Sequence, residues 1–86
     1  MIVPLQMAIA ETFFNAGQDL LEQEGLSKSQ REAALEYMHI AKGTYQLALA
    51  ENPPYLARRR KLRAEIQQRI DAAREVLVGA ILPDLD

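Results

Sequence analysis

Apolar positions recur along this chain at steps of three and four, the spacing of one face of an α-helix. Leu5, Ile9, Phe13, Ala16 and Leu20 form the first such stripe. Pro4 stands at its start, where proline needs no N–H and presets the helical φ. Gly25 follows, the residue type that closes helices. The pattern predicts a helix over about residues 4–24. A short polar link, "GLSKS", comes next. Ser27-x-x-Gln30 and Ser29-x-x-Glu32 both read as capping boxes, so a second helix is expected over 28–51. It carries two adjacent apolar stripes. One is Ala34, Met38, Ala41, Tyr45 and Ala48; the other is Ala33, Tyr37, Ile40 and Leu47. So wide an apolar surface implies a helix touched on two sides. Glu32, Glu36, His39, Gly43 and Gln46 form its wet stripe.

"NPP" then interrupts the pattern. Asn52 precedes a proline and is pushed out of the α region, and it is placed to cap a third helix with Pro53 at its first position. The core stripe of that helix is Leu62, Ile66, Ile70, Ala73 and Leu77, with Val76 and Ile81 beside it; Pro83 ends it near Leu82. A helix over 53–82 would be about 45 Å long at 1.5 Å per residue, so its last turns are expected to project past its neighbours. Short links make neighbouring helices antiparallel. The expected fold is all-α, a three-helix up-down-up antiparallel bundle with a long third helix, forming a single domain over residues 1–86.

Composition agrees with helix and narrows the chemistry. Hydrophobic residues make up 49% of the chain, enough for a packed core, and there is no cysteine to brace it. "MIVPLQMAIA" has no charged leader and no apolar run of membrane-spanning length. A soluble cytoplasmic protein is expected. The net charge of −2 hides an asymmetry. Residues 1–52 hold seven acids and three bases; residues 53–82 hold seven bases and three acids. The chain is a charge dipole rather than a basic protein.

Catalysis finds little support in this sequence, and a non-enzymatic protein without cofactor, metal or small-molecule substrate is expected. The single histidine, His39, lies on the wet stripe, with no second histidine or cysteine to complete a metal site or a nucleophile–base pair. Glu32/Glu36 and Asp71/Glu75 are ordinary i,i+4 surface pairs. No glycine-rich phosphate loop occurs. The notable cluster is basic: Arg58, Arg59, Arg60, Lys61 and Arg63 fill five of six positions. At 100° per residue such a run encircles a helix instead of forming a stripe. A nucleic-acid-binding reading wants a basic face and a groove-reaching element. Here the other helices are acidic. The bland reading is long Arg and Lys stems covering one end of the bundle with their heads in water. An anionic peptide or lipid surface lies between the two. Phe13 and Phe14 cannot both face one core, so one of them is expected at a partner surface or packed on a second neighbour.

The stretch "EAALEYMHIAKGTYQLALAENPPYLARRRKLRAEIQQRIDAAREVL" resembles an MIT domain, the microtubule-interacting and trafficking module. The likeness lies in the alanine-rich "EAALEY…A…Y…AL" helix, the proline-containing link, Leu62-Arg63-Ala64-Glu65 and Arg69-Ile70-Asp71-Ala72-Ala73-Arg74. It covers about two thirds of the chain; the first helix fits less closely. Ala34, Tyr37, Ala41 and Tyr45 are also spaced as in a tetratricopeptide repeat, but no second copy follows. MIT domains are three-helix bundles that bind short helical tails of ESCRT-III proteins in a groove beside the third helix. The resemblance places Ile70 at the family's groove leucine. It places Arg74 where the family has a groove glutamate, and Arg69 where it has an aromatic. Those departures imply an acidic partner.

The leading expectation is therefore an adaptor, an interaction module binding an acidic amphipathic helix. Its groove would involve Met38, Lys42 and Tyr45 of the second helix and Arg63, Ile66, Gln67, Ile70 and Arg74 of the third. The alternative is a homodimer paired through "EVLVGAIL". Nucleic-acid binding through Arg58–Arg63 ranks last, and any membrane association would be indirect.

Overall fold

The computed structural model describes residues 2–81, with side chains over 3–80. Leu82, Pro83 and the final acids, which bear on where the last helix stops, lie outside the described residues. Those described form four helices and no strand: α1 (Ile2–Leu21), α2 (Lys28–Glu51), α3 (Pro53–Ala57) and α4 (Arg60–Ile81). The fold is all-α, but the expected third helix is two. A turn at Arg58 and Arg59 divides it into a five-residue α3 and a 22-residue α4. No glycine, proline or asparagine marks that turn. α4 is thus about 33 Å long at 1.5 Å per residue, not 45 Å. Its last turns do not project. Arg31 Nη2 donates to the Ala80 carbonyl at 3.1 Å, and Val76 and Ala80 line a cleft with Leu21, Leu26 and Arg31.

Contacts fix the directions. Gly17 meets Ala34 and Met38, Phe13 meets Tyr37, and Gln6 reaches Glu51 and Asn52, so α1 and α2 are antiparallel. Arg31 reaches Ala80, while Leu49 faces Arg63 and Gln67, so α4 is antiparallel to α2 as well.

The ends of the helices follow local chemistry. The Ser27 capping box forms as expected: Gln30 N–H donates to Ser27 Oγ at 3.2 Å, and Ser27 N–H donates to Gln30 Oε1 at 3.0 Å. Gly25 takes the left-handed conformation, φ 70°, but four residues after α1 has ended, so it shapes the turn and does not cap the helix directly. Asn52 does not cap α3. Its Nδ2 donates back to the Ala48 carbonyl at 2.9 Å and to Gln6 Oε1 at 3.3 Å, closing the end of α2 against α1.

The core stripe of α2 is the expected one: Ala34, Met38, Ala41, Tyr45 and Ala48 are all fully buried. Ile66, Ile70, Ala73 and Leu77 of α4 are buried as expected. The stripe of α1 is not the expected one. Val3, Gln6, Ala10, Phe14 and Gly17 face inward, while Leu5 is 63% exposed and Ile9 42%. Because α1 is apolar on most of its circumference, periodicity offers two stripes. The one with small residues turns inward because Ala10 and Gly17 let α1 approach the alanine row of α2 closely. Phe14 enters the core and Phe13 is left half-buried, with its ring 5.9 Å from that of Tyr37.

The closeness is measurable at Gly17. A Cβ there would lie 3.0 Å from the Ala34 carbonyl oxygen and 3.2 Å from Met38 Cε. The oxygen belongs to helix backbone and cannot turn aside. Overpacking costs roughly 1–3 kcal/mol, against about 1 kcal/mol gained from alanine's helix propensity. Gly17→Ala is therefore expected to lower stability by about 1 kcal/mol. Gly43, with open space around it, gives the opposite sign: Gly43→Ala should raise stability by about 0.5–1 kcal/mol. Urea unfolding of the two variants beside the parent checks both signs.

Candidate functional site

The outer side of the α2–α4 junction holds a depression near the expected groove. It is a cleft of about 260 Å³, lined by Leu49 of α2, Pro53, Leu56 and Ala57 of α3, and Arg63 and Gln67 of α4. The divided third helix creates it. Because α3 bends at Arg58, Leu56 turns into the core and Pro53 and Ala57 become a wall. These four lining residues are absent from the groove expected from sequence. Nothing local signals them, since the bend that assembles them has no helix breaker.

Of the eight residues expected in the groove, four belong to the core. Met38, Tyr45 and Ile66 are fully buried, and Ile70 is 2% exposed. They pack against α1 as well as against each other's helices, so a peptide on the surface cannot insert between them. An aspartate at position 70 would bury an unpaired charge and unfold the protein rather than only block a groove. The other four remain accessible: Arg63, Gln67 and Arg74 are exposed and Lys42 is half-buried. Helical geometry keeps them in register. Leu35, Lys42 and Leu49 are seven residues apart and share a face of α2. Arg63, Gln67 and Arg74 share a face of α4 at steps of four and seven. Since the two helices are antiparallel, Leu49 stands opposite Gln67 and Lys42 opposite Arg74. Leu35 and Leu49 pack against the core from this side, and Val78 is 48% exposed beyond Arg74. The result is a shallow channel with apolar patches at both ends and, along it, the cations Arg63, Lys42 and Arg74 with the Asp71 carboxylate beside the last.

Some charges expected to be free are engaged. Gln67 Nε2 donates to Asp71 Oδ1 at 3.1 Å, and Arg74 lies 3.9 Å from the same carboxylate. Both contacts are solvent-exposed and weak. Arg69 turns away from this channel. Its guanidinium is 3.7 Å from Glu11 and 5.6 Å from the Phe14 ring centre, joining α4 to α1. In the basic run, Arg59 stacks 3.8 Å over the Tyr55 ring and donates to the Tyr55 carbonyl at 3.3 Å. It fastens α3 to the turn. Arg58, Arg60 and Lys61 are exposed around a shallow depression of about 500 Å³. The run occupies a turn and the start of α4, not the continuous helix expected.

His39 is exposed, and no metal-holding group of three His, Asp or Glu side chains gathers among the described residues. No helix is long and apolar enough to cross a membrane, among the same residues. No protein-family model, curated protein or solved structure matches the chain.

One core polar atom is unusual. The Tyr45 hydroxyl is buried with no hydrogen-bond partner among the described residues. Burial raises its pKa, an effect that the nearby Arg69 charge partly offsets. An unpaired buried hydroxyl costs about 1–3 kcal/mol. Tyr45→Phe is therefore expected to leave stability unchanged or raise it by about 1 kcal/mol. The sign with pH follows from the raised pKa: the tyrosine's contribution is present below the ordinary value of about 10 and is lost as pH rises beyond it. Unfolding at pH 8 and pH 11 should show a smaller alkaline loss for Tyr45→Phe than for the parent.

Proposed function

We propose that this protein is a non-enzymatic interaction module that binds an acidic amphipathic helix along the α2–α4 channel. The single observation that carries the reading is the cleft of Leu49, Pro53, Leu56 and Ala57 bordered by Arg63 and Gln67. It offers an apolar seat for one large side chain of a helix. Lys42 and Arg74, about two turns along the same faces, offer cations for its acidic flank. Leu35 and Val78 offer a second apolar seat. This is helix-in-groove recognition, in which residues at i, i+3, i+4 and i+7 anchor one face of the ligand. Complementary charge along the channel would set the orientation and speed the encounter.

The resemblance to MIT domains supports the same mode, with three long helices in up-down-up order and the ligand beside the last of them. The proposal differs from the family pattern in two respects. The seats are the α3 corner and the Leu35–Val78 end, because Ile70 is core. The cations Arg63 and Arg74 select an acidic ligand. A cytoplasmic adaptor bringing such a helix to another protein would need no other chemistry.

The test is an amide-shift NMR titration with a leucine-bearing acidic helical peptide. Shifts should concentrate at Leu49, Ala57, Arg63, Gln67 and Arg74. The double variant Arg63→Glu, Arg74→Glu should fold normally and bind about tenfold more weakly, roughly 1.4 kcal/mol. Absence of shifts up to millimolar peptide, or shifts confined to another face, would sink the proposal.

A further inference from the structure

A second apolar face lies on the side of α1 and α2 turned away from α4. Leu5 and Ile9 of α1 are 63% and 42% exposed; Ile40 and Leu47 of α2 are 38% and 48% exposed. Helical geometry puts them on one side. In α1, Glu11 and Phe14 meet Arg69 of α4, and Ile9 is about 200° around the helix from Glu11. In α2, Leu49 meets Arg63 and Gln67 of α4, and Leu47 is about 200° from Leu49, Ile40 about 180°. The two rows meet where the half-buried rings of Phe13 and Tyr37 pack against each other. The exposed stripe Leu5, Ile9, Phe13, Ala16 therefore lies beside Tyr37, Ile40, Thr44, Leu47. Steps of three and four in both rows leave a groove of the kind that accepts another helix.

Charge says which kind. In the α2 row, Glu36 precedes Ile40 by four residues and Glu51 follows Leu47 by four; both acids are exposed, and Glu51 also accepts from Gln6 Nε2 at 3.5 Å through one carboxylate oxygen. α1 contains no lysine or arginine at all. Of the three bases in α2, Arg31 reaches α4, Lys42 shares the face of Leu49 toward α4, and Lys28 stands at the first turn, about 120° from Ile40. Among the described residues the rim is thus acidic without a compensating cation. A second copy of this chain would set one acidic rim against another. Nor can the copy offer its own basic stretch as the ligand helix, because Leu62 and Ile66 there are committed to their own core.

We infer that the α1–α2 outer face is a second docking surface, and that its ligand is a basic amphipathic helix of another protein. The ligand's apolar stripe would lie over Ile9, Phe13, Ile40 and Leu47, with lysines or arginines toward Glu36 and Glu51. This surface is separate from the α2–α4 channel and stands or falls independently of it.

The experiment titrates the full chain with two synthetic helical peptides sharing one leucine stripe, one flanked by lysines and the other by glutamates. The lysine peptide should shift amides of Ile9, Phe13, Tyr37, Ile40 and Leu47. Against that peptide, Ile40→Gln with Leu47→Gln should bind at least tenfold more weakly while keeping the parent's circular dichroism and unfolding midpoint. Glu36→Lys should weaken it about threefold and lessen the salt dependence. Sedimentation of the free protein at 100 μM should show a monomer. A dimer abolished by Ile40→Gln with Leu47→Gln would assign the face to a second copy and overturn the inference. So would equal binding of both peptides, or no shifts on this face at millimolar concentration.

Discussion

The close seating of α1 on α2 is the constraint from which the rest of the structure follows. Gly17 and Ala10 on one helix face Ala34, Ala41 and Ala48 on the other, and the Ala34 carbonyl stands only 3.0 Å from where a Gly17 Cβ would be. With little side-chain volume between them, the two backbones come together along their length. Met38 lies in that seam against Gly17, and the other large residues fill the rest of the core: Phe14 from α1, Tyr45 from α2, Ile66 and Ile70 from α4. Each such side chain, fully buried, is worth roughly 1.5–3 kcal/mol. The small-residue seam decides which face of α1 points in. By doing so it also decides that Leu5 and Ile9 point out.

This explains where periodicity was sufficient and where it was not. On α4 the inward stripe is flanked by charged residues, and on α2 the row of alanines with Met38 and Tyr45 is the longer of two apolar stripes, so Ala34–Ala48 and Ile66–Leu77 follow from spacing. On α1 the alternatives Leu5–Ile9–Phe13 and Val3–Ala10–Phe14 are both apolar. Hydrophobicity favours the first; steric fit selects the second, and fit depends on α2, which is not local. The division of the third helix was illegible for a similar reason. Residues 55–62 carry no breaker, and the bend at Arg58 follows from Leu56 reaching into the core beside α2 and α4. The candidate groove inherited that error. Its charged members, Lys42, Arg63, Gln67 and Arg74, were legible because surface charge on a helix is a local property. Its apolar seats were not, because the Pro53–Ala57 wall exists only once the chain has turned.

The core contains a polar compromise as well. Gln6 is buried and satisfied by Glu51 and Asn52, a contact that ties the start of α1 to the end of α2. Tyr45, also buried, is not satisfied. Its ring fills the centre of the bundle, and its hydroxyl is carried along at a cost. Arg69 stands between these regions. Paired with Glu11 and set over Phe14, it covers the gap between α1 and α4 with its stem while its charge eases the environment of Tyr45.

The charge dipole seen in sequence acquires a spatial meaning from this packing. Glu36 and Glu51 on the side of α2 away from α4 form no ion pair among the described residues, so that flank of the hairpin is acidic. Arg63 and Arg74 of α4 line the α2–α4 channel, joined by Lys42 from α2, while Arg58, Arg60 and Lys61 stand at the turn and the start of α4 and Arg69 faces α1. Each flank pairs an apolar seam with a prevailing sign of charge, Asp71 being the one acid set among the cations of the channel, and α2 contributes to both. A helix that serves two seams must carry apolar residues on more than one face, and α2 has two adjacent apolar stripes besides its wet stripe of Glu32, Glu36, His39, Gly43 and Gln46. If both proposed surfaces are used, Ile40 and Leu47, 38% and 48% exposed, seat a ligand on one flank as Leu49 does on the other, and α2 is the element common to the two.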